Sequence, residues 1–172
     1  VDDVALLRTG QPYPDVPTIA GQTTEFLEKT MRGFQFWDRP CVKNEYRTGP
    51  KAGTKTDMCE IASGLSAEDA KAISAWYAGQ TFVPAKQEFD PALAEAGQAI
   101  HADDCEKCHA EGGTLAGKGP RLAGQWTTYL RRAMNYVPTG ERLCPSLMER
   151  TVAELSKEDM DRLLNYYASQ QD

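Results

Sequence analysis

DDCEKCHAEGG, residues 103–113, decides how the rest of the chain is read. Cys105 and Cys108 stand three apart, and His109 follows at once. Three chemistries use such thiols: a redox dithiol, half of a zinc site, and covalent attachment of haem. A thioredoxin-like dithiol belongs in a fold of alternating strands and helices, and no segment here alternates convincingly as a strand would. Structural zinc needs four nitrogen or sulfur ligands. Only His101 and Cys144 are obvious extras, so zinc stays open but strained. Haem attachment accounts for all three residues: two thiols for two vinyl groups, and the histidine as proximal iron ligand.

Composition narrows the setting. With 172 residues the chain fits one ordinary domain or two small ones. Charged residues make up 26% and hydrophobic ones 41%, a globular composition. The net charge of −6 gives no reason to expect nucleic-acid binding, while leaving a basic protein partner open. No apolar run approaches the ~18 residues of a membrane span. No basic start leads into an apolar stretch, so an export signal is expected to have been removed already, leaving VDDVALL as a processed end. There is no nucleophile–base constellation and no phosphate loop, so independent catalysis is not expected.

The chain is a repeat with one half altered. MCEIASGLSAEDAKAISAWYAGQ (58–80) aligns with MERTVAELSKEDMDRLLNYYASQ (148–170) at an offset of 90. PTIAGQTTEFLEKTMRG (17–33) aligns with PRLAGQWTTYLRRAMNY (120–136) at an offset of 103. The difference of 13 places an insertion in the first half, between about Phe34 and Asp57. Two copies of such a unit indicate a duplicated domain, not a solenoid. The expected division is a first domain over 1–80, a linker over 81–90 and a second domain over 91–172.

Local signals make the chain mostly α. Ser156 is a natural N-cap with Asp159 three later, and Leu155 can staple to Met160. Met160, Leu163, Leu164 and Tyr167 then share one helical face. Asp90 caps a second helix with Pro91 at its first position. Leu93, Ala96, Gly97 and Ile100 are expected on its buried face, Gly97 permitting a close helix crossing.

GQAIHADDCEKCH (97–109) resembles the first helix of class I c-type cytochromes. The resemblance implies that Gly97, with Ile100 and His101 at the large positions, meets the last helix. His101 is then a packing residue and not an iron ligand. GPRLAG (119–124) is similar to the family's proline turn, which implies that the Pro120 carbonyl orients the ring of His109. The sixth iron ligand is implied to be a methionine. Met148, seven residues before Leu155, matches the spacing of c4-type cytochromes. Met58 occupies the equivalent place in a half without the motif, so position alone does not establish ligation. Met134 has a twin in Met31 and reads as core. Trp126 and Tyr129 are expected to line the haem pocket.

The first half has neither cysteine nor histidine before Cys41, and the repeat places its missing motif near residues 2–8. The expectation is therefore an all-α chain of two tandem cytochrome c-like domains, the first without haem, carrying one covalent haem c. Cys41 and Cys59 flank the insertion, where a disulfide would add about 3 kcal/mol and compensate for a core without haem. Cys144 is left as a buried thiol.

TFVPAKQEFDPALAEAGQAIHADDCEKCHAEGG (81–113), LAGQWTTYLRRAM (122–134) and YYASQQ (166–171) resemble the cytochrome subunit of flavocytochrome c sulfide dehydrogenase. The likeness is close over 81–136 and at the C-terminus, and weaker over 12–80. It implies a flavoprotein partner holding FAD, at which sulfide is oxidised, and a periplasmic location. This chain would be the electron-transfer subunit, passing electrons singly to a soluble acceptor such as a small cytochrome c. Each sulfide would need two passes through one iron. The alternative is a free-standing c4-like carrier serving a terminal oxidase. Phe34, Phe36 and Trp37 suit either an interface with the flavoprotein or the space left by the lost haem.

Overall fold

The computed structural model describes residues 13–172. Within them the chain is all-α, two tandem halves related by duplication. The first half contributes α1 (Thr24–Gln35), α2 (Met58–Ser63) and α3 (Ala67–Ala78). The second contributes α4 (Pro91–Ile100), α5 (Thr127–Asn135), α6 (Ser146–Glu154) and α7 (Lys157–Ser169). The 2–8 segment, where the first half's motif would fall, lies outside the described residues.

The helix ends follow local chemistry. Ser156 Oγ accepts the N–H of Asp159 at 3.0 Å, and Ser66 with Asp69 forms a reciprocal capping box at the equivalent place in the first half. Asp90 Oδ1 accepts from the N–H groups of Ala92 and Leu93, with Pro91 opening α4. Met160, Leu163, Leu164 and Tyr167 are all buried on α7, in one cluster with Leu122, Leu130, Met134, Val137 and Val152.

α4 lies across α7, and the contact is closer than side chains allow. A Cβ at Gly97 would collide with the carbonyl oxygen of Arg162 and stand 2.9 Å from Tyr166 Cβ. This crossing corrects the expected face of α4. Ala96 is exposed, and Ala94 is buried in its place beside Gly97. Seating the glycine against the α7 backbone fixes the helix's rotation about its axis, and Ala96 turns away.

The insertion forms a small antiparallel hairpin, β1 (Asn44–Glu45) with β2 (Lys55–Thr56). Cys41 and Cys59 are joined by a disulfide, their Cα atoms 5.5 Å apart. The segment over 81–90 is held along its length. Ala85 is buried and donates its N–H to the Gly124 carbonyl at 2.7 Å, while the Gln87 side chain bonds Thr127 and Gln125.

The halves meet through a reciprocal exchange. Gln22 Nε2 donates to the Arg121 carbonyl (3.2 Å) and its Oε1 accepts the Arg121 N–H (2.9 Å). The equivalent Gln125 does the same to Thr18, at 2.9 and 2.8 Å. Thr18 and Arg121 are themselves equivalent in the repeat. The turns that present these glutamines use matching glycines, Gly21 (φ 69°) and Gly124 (φ 74°), whose N–H groups donate to the carbonyls of Tyr77 and Tyr167.

Gly97→Ala is expected to lower unfolding free energy by about 3 kcal/mol, because rigid backbone must move to admit one methyl. The exposed neighbour change Gln98→Ala should stay within about 0.5 kcal/mol. Urea unfolding of both variants measures the difference.

Candidate functional site

α4 does not stop where its regular hydrogen bonding ends. Residues His101–Cys105 continue as one π turn, with the Glu106 N–H reaching the His101 carbonyl at 2.9 Å. This wider turn carries the chain into Cys105, Cys108 and His109. Cys105 is half-buried, Cys108 exposed, and both are free thiols.

A hydrogen-bonded chain holds the motif from behind. His101 is 1% exposed, and its Nε2 faces Glu106 Oε2 (3.0 Å) and the His109 carbonyl (3.1 Å), both acceptors. Nε2 therefore carries the proton, and Nδ1 accepts from the Tyr167 hydroxyl at 2.9 Å. His101 is a satisfied core residue. Glu106, between the two cysteines, also accepts the N–H groups of Glu111 (2.8 Å) and Gly112 (3.0 Å). Those hydrogen bonds keep its carboxyl below the usual range.

His109 is 7% exposed. Its Nδ1 lies 2.8 Å from the Pro120 carbonyl, which can only accept, so Nδ1 bears the hydrogen. Nε2 is then the unprotonated nitrogen, without a hydrogen-bond partner among the described residues. Burial lowers the imidazole's pKa against the opposing pull of that carbonyl, favouring the neutral ring. A Cβ at Gly119 would stand 2.5 Å from His109 Cε1, so the glycine makes room for the ring.

The thiols do not suit a redox dithiol. Burial pushes the Cys105 thiol up to about 11, only partly offset by the Tyr167 hydroxyl beside it. A disulfide-exchange nucleophile needs the opposite shift. A zinc site is not assembled either. Among the described residues, the one cluster with metal-ligating types is Cys41, Asp57 and Cys59, whose sulfurs are bonded to each other.

Other residues singled out from the sequence border the same core cluster. Cys105, Tyr129, Cys144 and Met148 all lie half-buried against it. Met58, the first-half counterpart of Met148, is 38% exposed. Trp126 is half-buried, with its indole Nε1 enclosed and unpartnered. Phe36 (66% exposed) and Trp37 (73%) fill no internal space. Phe34 is half-buried, its ring 5.6 Å from the Arg39 guanidinium. Trp37 holds a left-handed backbone, φ 62°, a conformation costing about 1 kcal/mol or more outside glycine.

Comparison with known proteins agrees with this geometry. Residues 92–166 match the family described as cytochrome c oxidase, cbb3-type, subunit III. Cytochrome c4 of Azotobacter vinelandii is 28% identical over 167 residues, spanning 89% of this chain and 76% of that one. The crystal structure of reduced cytochrome c4 from Pseudomonas stutzeri superposes with a TM-score of 0.73 at 25% identity, over 98% of this chain and 94% of that one. A thiosulfate dehydrogenase (TsdBA) of Marichromatium purpuratum shares the fold, with a TM-score of 0.71 at 24% identity. It spans 95% of this chain and 34% of that one.

Two helical halves and a Cys-x-x-Cys-His segment at the end of a helix crossed by the last one are the arrangement found in class I, haem c-binding cytochromes. Over most of its length the chain is similar to the two-domain cytochromes c4, which are electron-transfer proteins of that class. No helix among the described residues is long and apolar enough to cross a membrane.

Tyr167→Phe would leave the buried Nδ1 of His101 without its donor. The expected loss is about 2 kcal/mol of unfolding free energy, read from thermal or urea melts of the holoprotein.

Proposed function

We propose that this chain is a single-haem electron-transfer subunit of a sulfide-oxidising flavocytochrome. Cys105 and Cys108 would hold the haem by thioether bonds, and His109 Nε2 and the Met148 sulfur would ligate its iron. Pro120 fixes the tautomer of His109, while Trp126 and Tyr129 line the pocket. The first domain (1–80), joined through 81–90 to the haem domain (91–172), acts as scaffold and docking surface, braced by the Cys41–Cys59 disulfide.

The observation that carries the haem assignment is His109. Its Nδ1 is committed to a carbonyl, so its lone pair is presented on Nε2 from a largely buried ring beside two free thiols. The enclosed, unpartnered indole N–H of Trp126 also fits a group that brings an acceptor. Haem supplies one-electron storage at iron. The polypeptide orients the proximal imidazole, keeps it neutral and shields it from water.

The flavoprotein partner follows from the resemblance over 81–136 and gains support from the surface. Phe36, Trp37 and Leu143 are exposed by 60% or more, and the Leu143 N–H bonds the Asp38 carbonyl, so they adjoin at the seam of the two halves. A strained, solvent-facing tryptophan there suits a protein contact. FAD on that partner would oxidise sulfide, which yields two electrons, and each would leave through the one iron to a soluble periplasmic acceptor such as a small cytochrome c. The thiosulfate dehydrogenase, over a third of whose chain this fold spans, supports its use within a larger oxidoreductase. A free-standing periplasmic carrier is the second reading, favoured by the likeness to cytochrome c4 along 89% of the chain.

The visible spectrum of natively purified protein, before and after sulfide, separates these readings. Haem reduction by sulfide with flavin in the same chromatographic peak is expected. Reduction by dithionite alone, without flavin, would establish the free carrier, and absence of haem would refute both. Met148→Ala should keep the covalent haem yet lower its midpoint potential and remove the sulfur-to-iron charge-transfer band. An unchanged band would exclude Met148 as ligand.

A further inference from the structure

Glu106 occupies one of the two places between the motif's cysteines, where haem attachment demands no particular residue. Its carboxylate nevertheless has three donors. Oε1 accepts the N–H of Glu111 (2.8 Å), while Oε2 accepts those of Gly112 and His101 Nε2, both at 3.0 Å. The backbone that supplies two of them is unusual. Glu111, Gly112 and Gly113 run left-handed in succession, with φ of 54°, 67° and 85°. Successive N–H groups in such a turn point into one concavity, which takes an anion. The glycines adopt this conformation freely, whereas Glu111 does so against its preference. The strain persists because the Glu106 carboxylate fills the concavity.

The turn is anchored on its other sides as well. The Tyr166 hydroxyl donates to the Gly112 carbonyl at 3.1 Å, and a Cβ at Gly112 would stand 2.5 Å from that hydroxyl. The Gly113 carbonyl accepts the N–H groups of Leu122 (2.9 Å) and Ala123 (3.1 Å), just beyond Pro120. Backbone dipoles and one imidazole N–H therefore hold the carboxylate. Among the described residues, no lysine or arginine lies within 4.0 Å of it. Its hydrogen bonds favour the ionised form, so the carboxyl is charged at neutral pH. Dipoles fix such a charge in place without cancelling it. The segment between the two thiols thus carries a caged anion with no cation to answer it.

We infer that Glu106 is a potential-setting residue: its fixed negative charge favours the oxidised state of a haem iron bound through residues 105–109 and lowers the reduction potential. This rests on the haem assignment above. The left-handed turn is the device that keeps the charge at a constant place.

The test uses holoprotein, with covalent haem content measured first. Glu106→Gln keeps the shape of the side chain and an acceptor for His101, but removes the charge. It should shift the redox equilibrium towards reduced haem by roughly fourfold, one charge acting over about 10 Å at an effective dielectric near 40. A dielectric above that of the interior suits a side chain 42% exposed. For one electron, fourfold is about 35 mV higher potential. Glu106→Asp retains the charge and should stay close to the wild-type potential, as should the exposed Glu68→Gln of the first half. If Glu106→Gln does not load haem, Glu106→Ala is the second variant, with the same expected direction, since water can reach the N–H groups it frees. Covalent haem with an unchanged potential in the neutral variant would overturn the inference and leave the haem assignment standing. Glu106→Asp shifted as far as Glu106→Gln would do the same, because a loosened loop would then explain both. Loss of covalent haem from both neutral variants would reduce the carboxylate to a folding element and equally overturn it. Wild type without covalent haem would overturn the assignment itself.

Discussion

The close crossing of α4 and α7 at Gly97 is the constraint on which the second domain depends. Only hydrogen fits between the α4 backbone and the Arg162 carbonyl. Because the helices touch there, His101 is brought within 2.9 Å of the Tyr167 hydroxyl, and Tyr167 lies against Cys105. A wider crossing would separate these groups and leave several buried polar atoms unpaired, each costing about 1–3 kcal/mol. The glycine's cost in helix propensity, about 1 kcal/mol, is small beside that.

From this crossing the motif is built outward as a rigid frame. The π turn lengthens α4 without breaking it, and Glu106 then closes the Glu111–Gly112 turn while bonding His101. His109 is restrained twice, through its carbonyl by His101 and through its ring by Pro120. The thiols need no such restraint, and Cys108 remains open to solvent. Rigidity is concentrated on the imidazole, the group whose orientation sets ligand strength in a metal site.

What could be read from the chain was what local chemistry controls. The caps at Asp90 and Ser156 depend on neighbours two or three residues away, and the α7 stripe on helical period alone. The duplication was legible because Leu65–Ser66 and Leu155–Ser156 keep their spacing to the following helix. Ala96 was misplaced on the buried face because the rotation of α4 is set by a partner helix some 65 residues distant in sequence. Glu106 is not legible in the sequence for a different reason: its carboxylate meets the N–H donors of Glu111 and Gly112 only after the 106–113 loop has folded. Phe36 and Trp37 were recognisable as unusual, but only the fold shows that they face outward.

The reciprocal bonds of Gln22 and Gln125 have a further meaning. Residue i of one half touches j of the other, and j's counterpart touches i's, which is the pattern of a two-fold, self-complementary interface. The duplicated chain thus contains a homodimer contact in covalent form. That contact resides in the Pro17–Gln22 and Pro120–Gln125 turns, outside the 103–113 segment that carries Cys105, Cys108 and His109. One half could consequently shed its prosthetic group and acquire an insertion while the symmetry of the joint was preserved.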